Sequence, residues 1–364
     1  MLKKFFLNML SSFVGAWIAL VLFGVVAVMV GIGIMAKLGA SNSESTNVEK
    51  GSVLTIELTG VIEERETPLD LDYLSLMTRD VSRPQTLENL VTAIREAKEN
   101  KNISAIYLKC GGVQARLATL NALRNELVDF AKDKPVIAYA DNYGSGDYYV
   151  ASMAKHLYLN PGGAVMLQGI GGTSLYMKDL FDKIGITYQV VKVGTYKSAV
   201  EPFILNEMSE PARAQLDTLY GNIWLHIREE IAKSRKKVSV NGIDSLISRD
   251  FIFLRPATDA QKSGLVDKLC YEREMDSNIA SILGKEEKKL SFVPPSLLVG
   301  QSNFLQPMSS KRQIAVLYAA GEIVDGGGAG TINFEKLVPV ITRLAEDDNV
   351  KGLVLRVNSP GGAV

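Results

Sequence analysis

Two stretches of this 364-residue chain lie over one another without a gap, residues 87–108 (LENLVTAIREAKENKNISAIYL) and 334–355 (FEKLVPVITRLAEDDNVKGLVL). Glu88 matches Glu335, Leu90 matches Leu337, Ile94 matches Ile341 and Asn102 matches Asn349. Ahead of them, residues 53–62 and 314–323 each carry a glycine at the same place, Gly60 and Gly321. Behind them, each copy reaches a glycine pair, Gly111–Gly112 and Gly361–Gly362. A repeat of this kind limits the fold more tightly than composition does, because each copy must be built from the same supersecondary units. Leu87, Leu90, Val91, Ile94 and Ala97 have helical spacing, whereas 53–62 and 103–108 read as strands. A second helix over 120–131 and a strand over 135–140 follow. Short apolar strands alternating with helices predict an α/β fold, a parallel sheet covered by helices, present as tandem repeats.

The duplication also sets the expected domains. Residues 1–40 form a cytoplasmic stub and anchor, 41–300 the first repeat with a long connecting helix, and 301–364 the start of a second repeat. That helix spans 211–237 and contains Trp224 and His226; residues 257–269 read as helix, turn at Gly264 and short strand. Copies of similar length would leave the second one short by on the order of 200 residues, so the chain is expected to be a fragment.

Residues 13–36 are 24 apolar or glycine residues without a charge. As a helix they would reach about 36 Å, enough for a hydrocarbon core of about 30 Å and longer than a cleavable signal peptide needs. Lys3 and Lys4 precede the run and Lys37 follows it. The positive-inside rule therefore predicts a cytoplasmic N-terminus and an extracytoplasmic body. Forty basic and forty acidic residues cancel, which removes any electrostatic case for nucleic acid. Cys110 and Cys270 have no metal or redox spacing and read as buried thiols.

Three segments could hold chemistry. Residues 356–362 (RVNSPGG) follow a strand, and paired glycines there would let backbone N–H groups approach an oxyanion; an ordinary turn reads the same way. Residues 193–203 (VGTYKSAVEPF) set Lys197 among Tyr196, Ala199, Val200 and Phe203. A lysine base must be neutral; burial in an apolar pocket would lower its pKa, at roughly 4 kcal/mol for a shift of about 3 units. A plain surface lysine is the other reading. Residues 143–152 (YGSGDYYVAS) place Ser145 between glycines after a strand, either an exposed serine on a sharp strand-to-helix turn or a simple Gly/Ser turn. His156 and His226 lack the flanking pattern of a triad.

RVNSPGG resembles the glycine-rich element of Clp-protease-fold and crotonase-fold proteins. GTYKSAVEPF and ADNYGSGDYYVAS are similar to segments of the signal peptide peptidase A family, in its long duplicated form, protease IV. The resemblance, with the anchor, runs over nearly the whole chain. It implies a serine endopeptidase with a Ser–Lys dyad and no metal or other cofactor. It implies Lys197 as general base and a nucleophilic serine in the second copy, beyond Val364, in a segment equivalent to 141–152. Ser145 is the aligned first-copy position, and Gly361 and Gly362 would help form the oxyanion hole. Peptide substrates such as cleaved signal peptides, a homo-oligomer, and a bacterial inner-membrane location with a periplasmic catalytic domain are implied as well. The 364 residues by themselves are expected to be inactive. A catalytically inactive Clp-fold scaffold and a crotonase-type acyl-CoA enzyme stay open as alternatives.

Overall fold

The computed structural model describes residues 48–64, 85–301, 312–328 and 330–362, with scattered residues between 14 and 24. Most of the expected 13–36 anchor lies outside the described residues. Those described there, such as Trp17, Leu22 and Phe23, are helical and exposed. Among the described residues no helix is long and apolar enough to cross a membrane. The chain divides into two compact units, Met1–Gln301 and Ser302–Val364.

In the first unit, β1 (Ser52–Glu63), α1 (Leu87–Glu99), β2 (Ile103–Gln114), α2 (Leu117–Phe130), β3 (Val136–Ala140), α3 (Ser145–Ala151) and β4 (His156–Leu159) alternate along the chain. Further on come α4 (Lys178–Ile184), α5 (Glu201–Ile204), α6 (Glu210–Ser234), β5 (Lys268–Leu269) and α7 (Met275–Leu283). The sheet runs β1-β2-β3-β4-β5, all parallel, with two-residue strands Gln85–Thr86 and Phe292–Val293 also parallel to β1. Alternate residues of each strand face opposite ways. Leu54, Ile56, Leu58, Ile106 and Leu108 pack with Leu90 and Ile94 of α1 and Leu123, Leu127 and Phe130 of α2. Val53, Ala105, Tyr107, Ile137 and Tyr139 face the other way, against Met275 and Ile279 of α7. Each fully buried aliphatic side chain contributes about 1.5–3 kcal/mol. Both cysteines are buried, free thiols.

Local chemistry sets the helix limits. Thr86 accepts the Asn89 N–H at 3.2 Å and caps α1. At the far end, Lys134 Nζ donates to the carbonyls of Ala97 and Asn100, both at 2.7 Å, where the last helical carbonyls lack partners. β2 runs beyond the expected 103–108 to Gln114, and its register with β1 is irregular at Gly111 and Gly112, between the Leu58–Cys110 and Gly60–Val113 pairs.

The second unit holds β6 (Gln313–Ala320), α8 (Phe334–Glu346) and β7 (Val350–Asn358), with β6 and β7 parallel. Helices α1 and α8 both have 13 residues. Their caps are alike, Asn333 accepting from the Lys336 N–H as Thr86 does from Asn89. The loops that follow are alike too. The Asn102 N–H donates to Asn100 Oδ1 at 2.8 Å and the Asn349 N–H to Asp347 Oδ1 at 2.9 Å.

Arg124, on α2, is the largest polar side chain in the core and fully buried. Its Nη1 donates to the Tyr149 carbonyl at 2.5 Å and Ser152 Oγ at 2.9 Å, at the end of α3. Its Nη2 donates to the Glu230 carbonyl at 2.6 Å and Ser234 Oγ at 2.8 Å, at the end of α6. One guanidinium thus joins three helices. Arg124→Met removes the charged donor that joins the three helices and is expected to cost about 2–4 kcal/mol in urea unfolding. Arg124→Lys should recover only part of it, since an ammonium lacks the planar fork; full recovery would show that charge alone matters.

Candidate active site

Ser145 opens α3 directly after the loop that leaves β3. That loop is tied down at each step. Asp141 Oδ1 accepts from Tyr139 Oη and Asn160 Nδ2, both at 2.7 Å, and these bonds hold its carboxyl below the ordinary range. Asn142 Oδ1 accepts the Ala164 N–H at 3.0 Å. Tyr143 and Gly144 then pair in parallel with Val165 and Met166. Ser145 is exposed on a strand-to-helix junction, as its sequence setting suggests. Its Oγ is already engaged, donating to the Met166 carbonyl at 3.2 Å and accepting the Gln168 N–H at 3.1 Å.

Two residues on, Asp147 is 2% exposed. Oδ1 accepts the Val113 N–H at 3.0 Å and Oδ2 the Gly144 N–H at 3.3 Å, and the Gly112 N–H also points at the carboxylate. Burial raises its pKa, and the three backbone donors oppose that rise. The end of β2 therefore meets α3 through one carboxylate.

Lys197 lies in the loop between α4 and α6. Gly185 ends α4 with φ +73°, a left-handed conformation suited to glycine. Phe181 of α4, Tyr188 and Phe203 of α5 form an aromatic trio with centroid separations of 4.7, 5.1 and 6.3 Å. Glu201, 1% exposed, accepts from Ser209 Oγ at 2.6 Å and the Ser209 N–H at 3.1 Å. Those bonds, the hydroxyl first, hold its carboxyl below the usual range. Ser209 in turn caps α6, and Lys192 Nζ lies 3.8 Å from Glu201. The loop carrying Lys197 is thus pinned on both sides.

Among the described residues no apolar pocket surrounds Lys197. Lys197 is exposed, with Tyr196 exposed beside it, and its side chain has no hydrogen bond or ion pair among the described residues. The reason is that Phe203, one of the residues suggesting a pocket, turns to its aromatic partners instead. No contact joins Lys197 to Ser145 among the described residues.

In the second unit, the Gly361 carbonyl accepts the Ile323 N–H at 2.9 Å, and Gly362 bridges Ile323. A Cβ on Gly362 would lie 1.9 Å from the Ile323 carbonyl, so the backbone approach there requires glycine. The Gly361 N–H is 3.1 Å from Ser359 Oγ.

Asp147, Glu201 and Arg124 were not legible as site-building residues from local composition. Asp147 did have a signal, an acidic residue three positions after Gly144 at a helix start, where it can reach back to the cap N–H. His226 Nε2 is 3.3 Å from both Tyr149 Oη and Asn121 Oδ1, a network away from any acid–serine pair. Among the described residues no cluster suited to a metal occurs.

A parallel sheet sheathed by helices, with a serine at the strand-to-helix junction, fits a Clp/crotonase-like fold. Residues 128–283 match the model of peptidase family S49, a span that takes in Ser145, Asp147 and Lys197. The chain is 32% identical to Protease 4 of Haemophilus influenzae over 89% of its own length and 55% of that protein. It is 33% identical to Protease 4 of Salmonella typhi, over 94% and 57%. With the chloroplastic serine protease SPPA of Arabidopsis thaliana, identity is 26% over 86% and 46%. Residues 128–283 are thus similar to S49 peptidases and most of the chain to protease IV proteins, and it spans about half the length of these curated relatives.

Glu201→Ala removes the link between α5 and the cap of α6. Limited proteolysis should then cut residues 194–208 about five- to thirtyfold faster, as local opening becomes cheaper by about 1–2 kcal/mol. An unchanged cutting rate would mean the loop is held by the aromatic trio alone.

Proposed function

We propose that the intact natural protein is a membrane-anchored serine endopeptidase with a Ser–Lys dyad, acting on signal peptides and other membrane-derived peptides. The observation that carries this reading is the family match across the Lys197 block, together with the pinned loop that presents an unpartnered amine. Lys197 serves as general base. Its neutral amine takes the proton of the nucleophilic serine as Oγ attacks the scissile carbonyl, and backbone N–H groups stabilise the oxyanion. The proton passes to the leaving amine, and water then releases the acyl group. The nucleophile is assigned to a second repeat, in the segment equivalent to 141–152, with Gly361 and Gly362 at its oxyanion hole. The matched caps and loops of α1 and α8 favour two repeats of one ancestral unit.

A neutral lysine needs desolvation, and this chain leaves Lys197 in solvent. The surrounding surface favours assembly as a homo-oligomer. Val191 is 98% and Val193 86% exposed, and Leu175, Ile184 and Tyr196 are exposed near them in sequence. A second copy laid over this stretch would supply the apolar cover.

Lys197→Ala and Lys197→Arg in the intact protein should lower peptide hydrolysis by at least about 100-fold with the melting temperature kept, since a positioned base contributes about 10²–10⁴-fold. Retained activity would remove Lys197 from the mechanism. For the anchor, phosphatase fused at residue 50 should be active and galactosidase silent; the reverse pattern would invert the proposed periplasmic location.

A further inference from the structure

The outer edge of β1 is paired at two places. Val53 and Leu54 pair with Phe292 and Val293, and Ile62 and Glu63 with Gln85 and Thr86. Among the described residues no strand lies beside 55–61 on that side. At about 3.3 Å per residue, that opening is roughly 23 Å long. Pro294 and Pro295 follow Val293 and have no N–H to offer the next outward carbonyl of β1, so the pairing stops there. The Val53 N–H points outward, donating to the Ser291 carbonyl at 2.8 Å. Backbone direction alternates along a strand, so the backbone groups of Thr55 and Glu57 also point outward, and their side chains share the face of Val53. The Thr55 carbonyl and both backbone groups of Glu57 therefore meet the opening.

That face carries a groove of about 830 Å³. Tyr107 of β2, Met275 of α7 and Phe292 give it an apolar wall, with the Tyr107 and Phe292 ring centroids 6.4 Å apart. Thr55 Oγ1 and Gln85 Oε1, on residues that line it, are buried without a hydrogen-bond partner. Polar atoms left in that state are costly, and a peptide main chain in the groove supplies partners. Lys109 is paired with Glu272 at 2.5 Å. Glu57 and Asp276 line the same groove, are exposed, and form no ion pair or side-chain hydrogen bond among the described residues. An edge with unpaired backbone groups recruits an extended chain. A second copy of β1 does not suit it, because its own Glu57 would join two carboxylates that already lack a cation.

We propose that this groove binds an extended peptide segment carrying a lysine or arginine, added to β1 as a strand beside Thr55 and Glu57, with the basic side chain on Glu57 and Asp276. Paired residues of neighbouring strands place their side chains on one face, so alternate residues of the peptide enter the groove. An apolar one meets Tyr107 and Phe292, and the basic one meets the carboxylates. The site lies on the edge strand, two strands from the β3 that leads to Ser145. Binding there stands whether or not Lys197 acts as a base, and its test involves no peptide hydrolysis.

The test is fluorescence anisotropy with the full chain in detergent micelles, empty micelles serving as the blank. The probe is the labelled peptide Thr-Val-Thr-Lys-Thr-Val-Thr, blocked at both ends. Saturable binding is expected with a Kd below about 100 μM. Glutamate in place of the lysine should weaken it at least about tenfold. A strand presents only every second N–H to its neighbour. N-methylation of one alternate set of amides should therefore cost at least about tenfold, and methylation of the other set should leave the Kd within about threefold. Glu57→Lys combined with Asp276→Lys, both at exposed positions, should reverse the preference, the glutamate peptide now binding at least about tenfold more tightly than the lysine peptide, with the melting temperature kept. If the double variant does not fold, Glu57→Lys decides alone. No saturable binding, an equal effect of the two methylation patterns, or a preference that the charge reversal leaves in place overturns the inference.

Discussion

A parallel sheet must bury both of its faces, and the rest of this structure depends on that requirement. Successive residues of β1 serve different cores, Val53 toward α7 and Leu54 toward α1 and α2. A one-residue slip would exchange the two sets, so the register with β2 is fixed by packing as well as by hydrogen bonds. Because β2 and β3 are adjacent and parallel, with Cys110 opposite Ala140, their C-terminal ends emerge side by side. Gly112 and Val113 lie in the last residues of β2, and Gly144 and Ser145 a few residues beyond the end of β3. The meeting of these groups at Asp147 is thus a consequence of sheet topology.

Buried charge does the positioning once the sheet is in place. Arg124 gathers carbonyls and hydroxyls from the C-terminal ends of α3 and α6. Asp147 gathers N–H groups at the opposite end of α3. The short helix that begins with Ser145 is held between a buried cation and a buried anion, each supplied with hydrogen bonds. A buried charge without such partners would be costly, and a half-satisfied one would leave α3 free to shift. Glu201 plays a similar part for the lysine loop, joining α5 to the cap of α6.

The two parts of the proposed chemistry differ in how far this chain completes them. At the serine-bearing junction, the Ser145 hydroxyl and the Asp147 carboxylate are both engaged in hydrogen bonds within the chain. The lysine loop is rigid at its base and open at its tip, and its apolar neighbours face solvent. A general base of this type depends on desolvation, and desolvation depends on what covers it.

The sequence by itself determined the class of fold and the order of its elements. Helical spacing in 87–97 and β-branched runs in 53–62 and 103–108 reflect periods that exist before any tertiary contact. It also singled out Ser145 and Lys197, because glycine flanks and a family-like block are local features. What surrounds those residues was decided by tertiary structure. Phe203 looked like a wall of a lysine pocket and became part of an aromatic trio with Phe181 and Tyr188. The strand expected to end at Leu108 continues to Gln114, because β1 runs far enough to pair with Val113 and Gln114. Asp147 joins the start of α3 to Val113, 34 positions away. Burial and hydrogen-bond partners depend on which distant segments the sheet brings together, and local sequence cannot encode that alone.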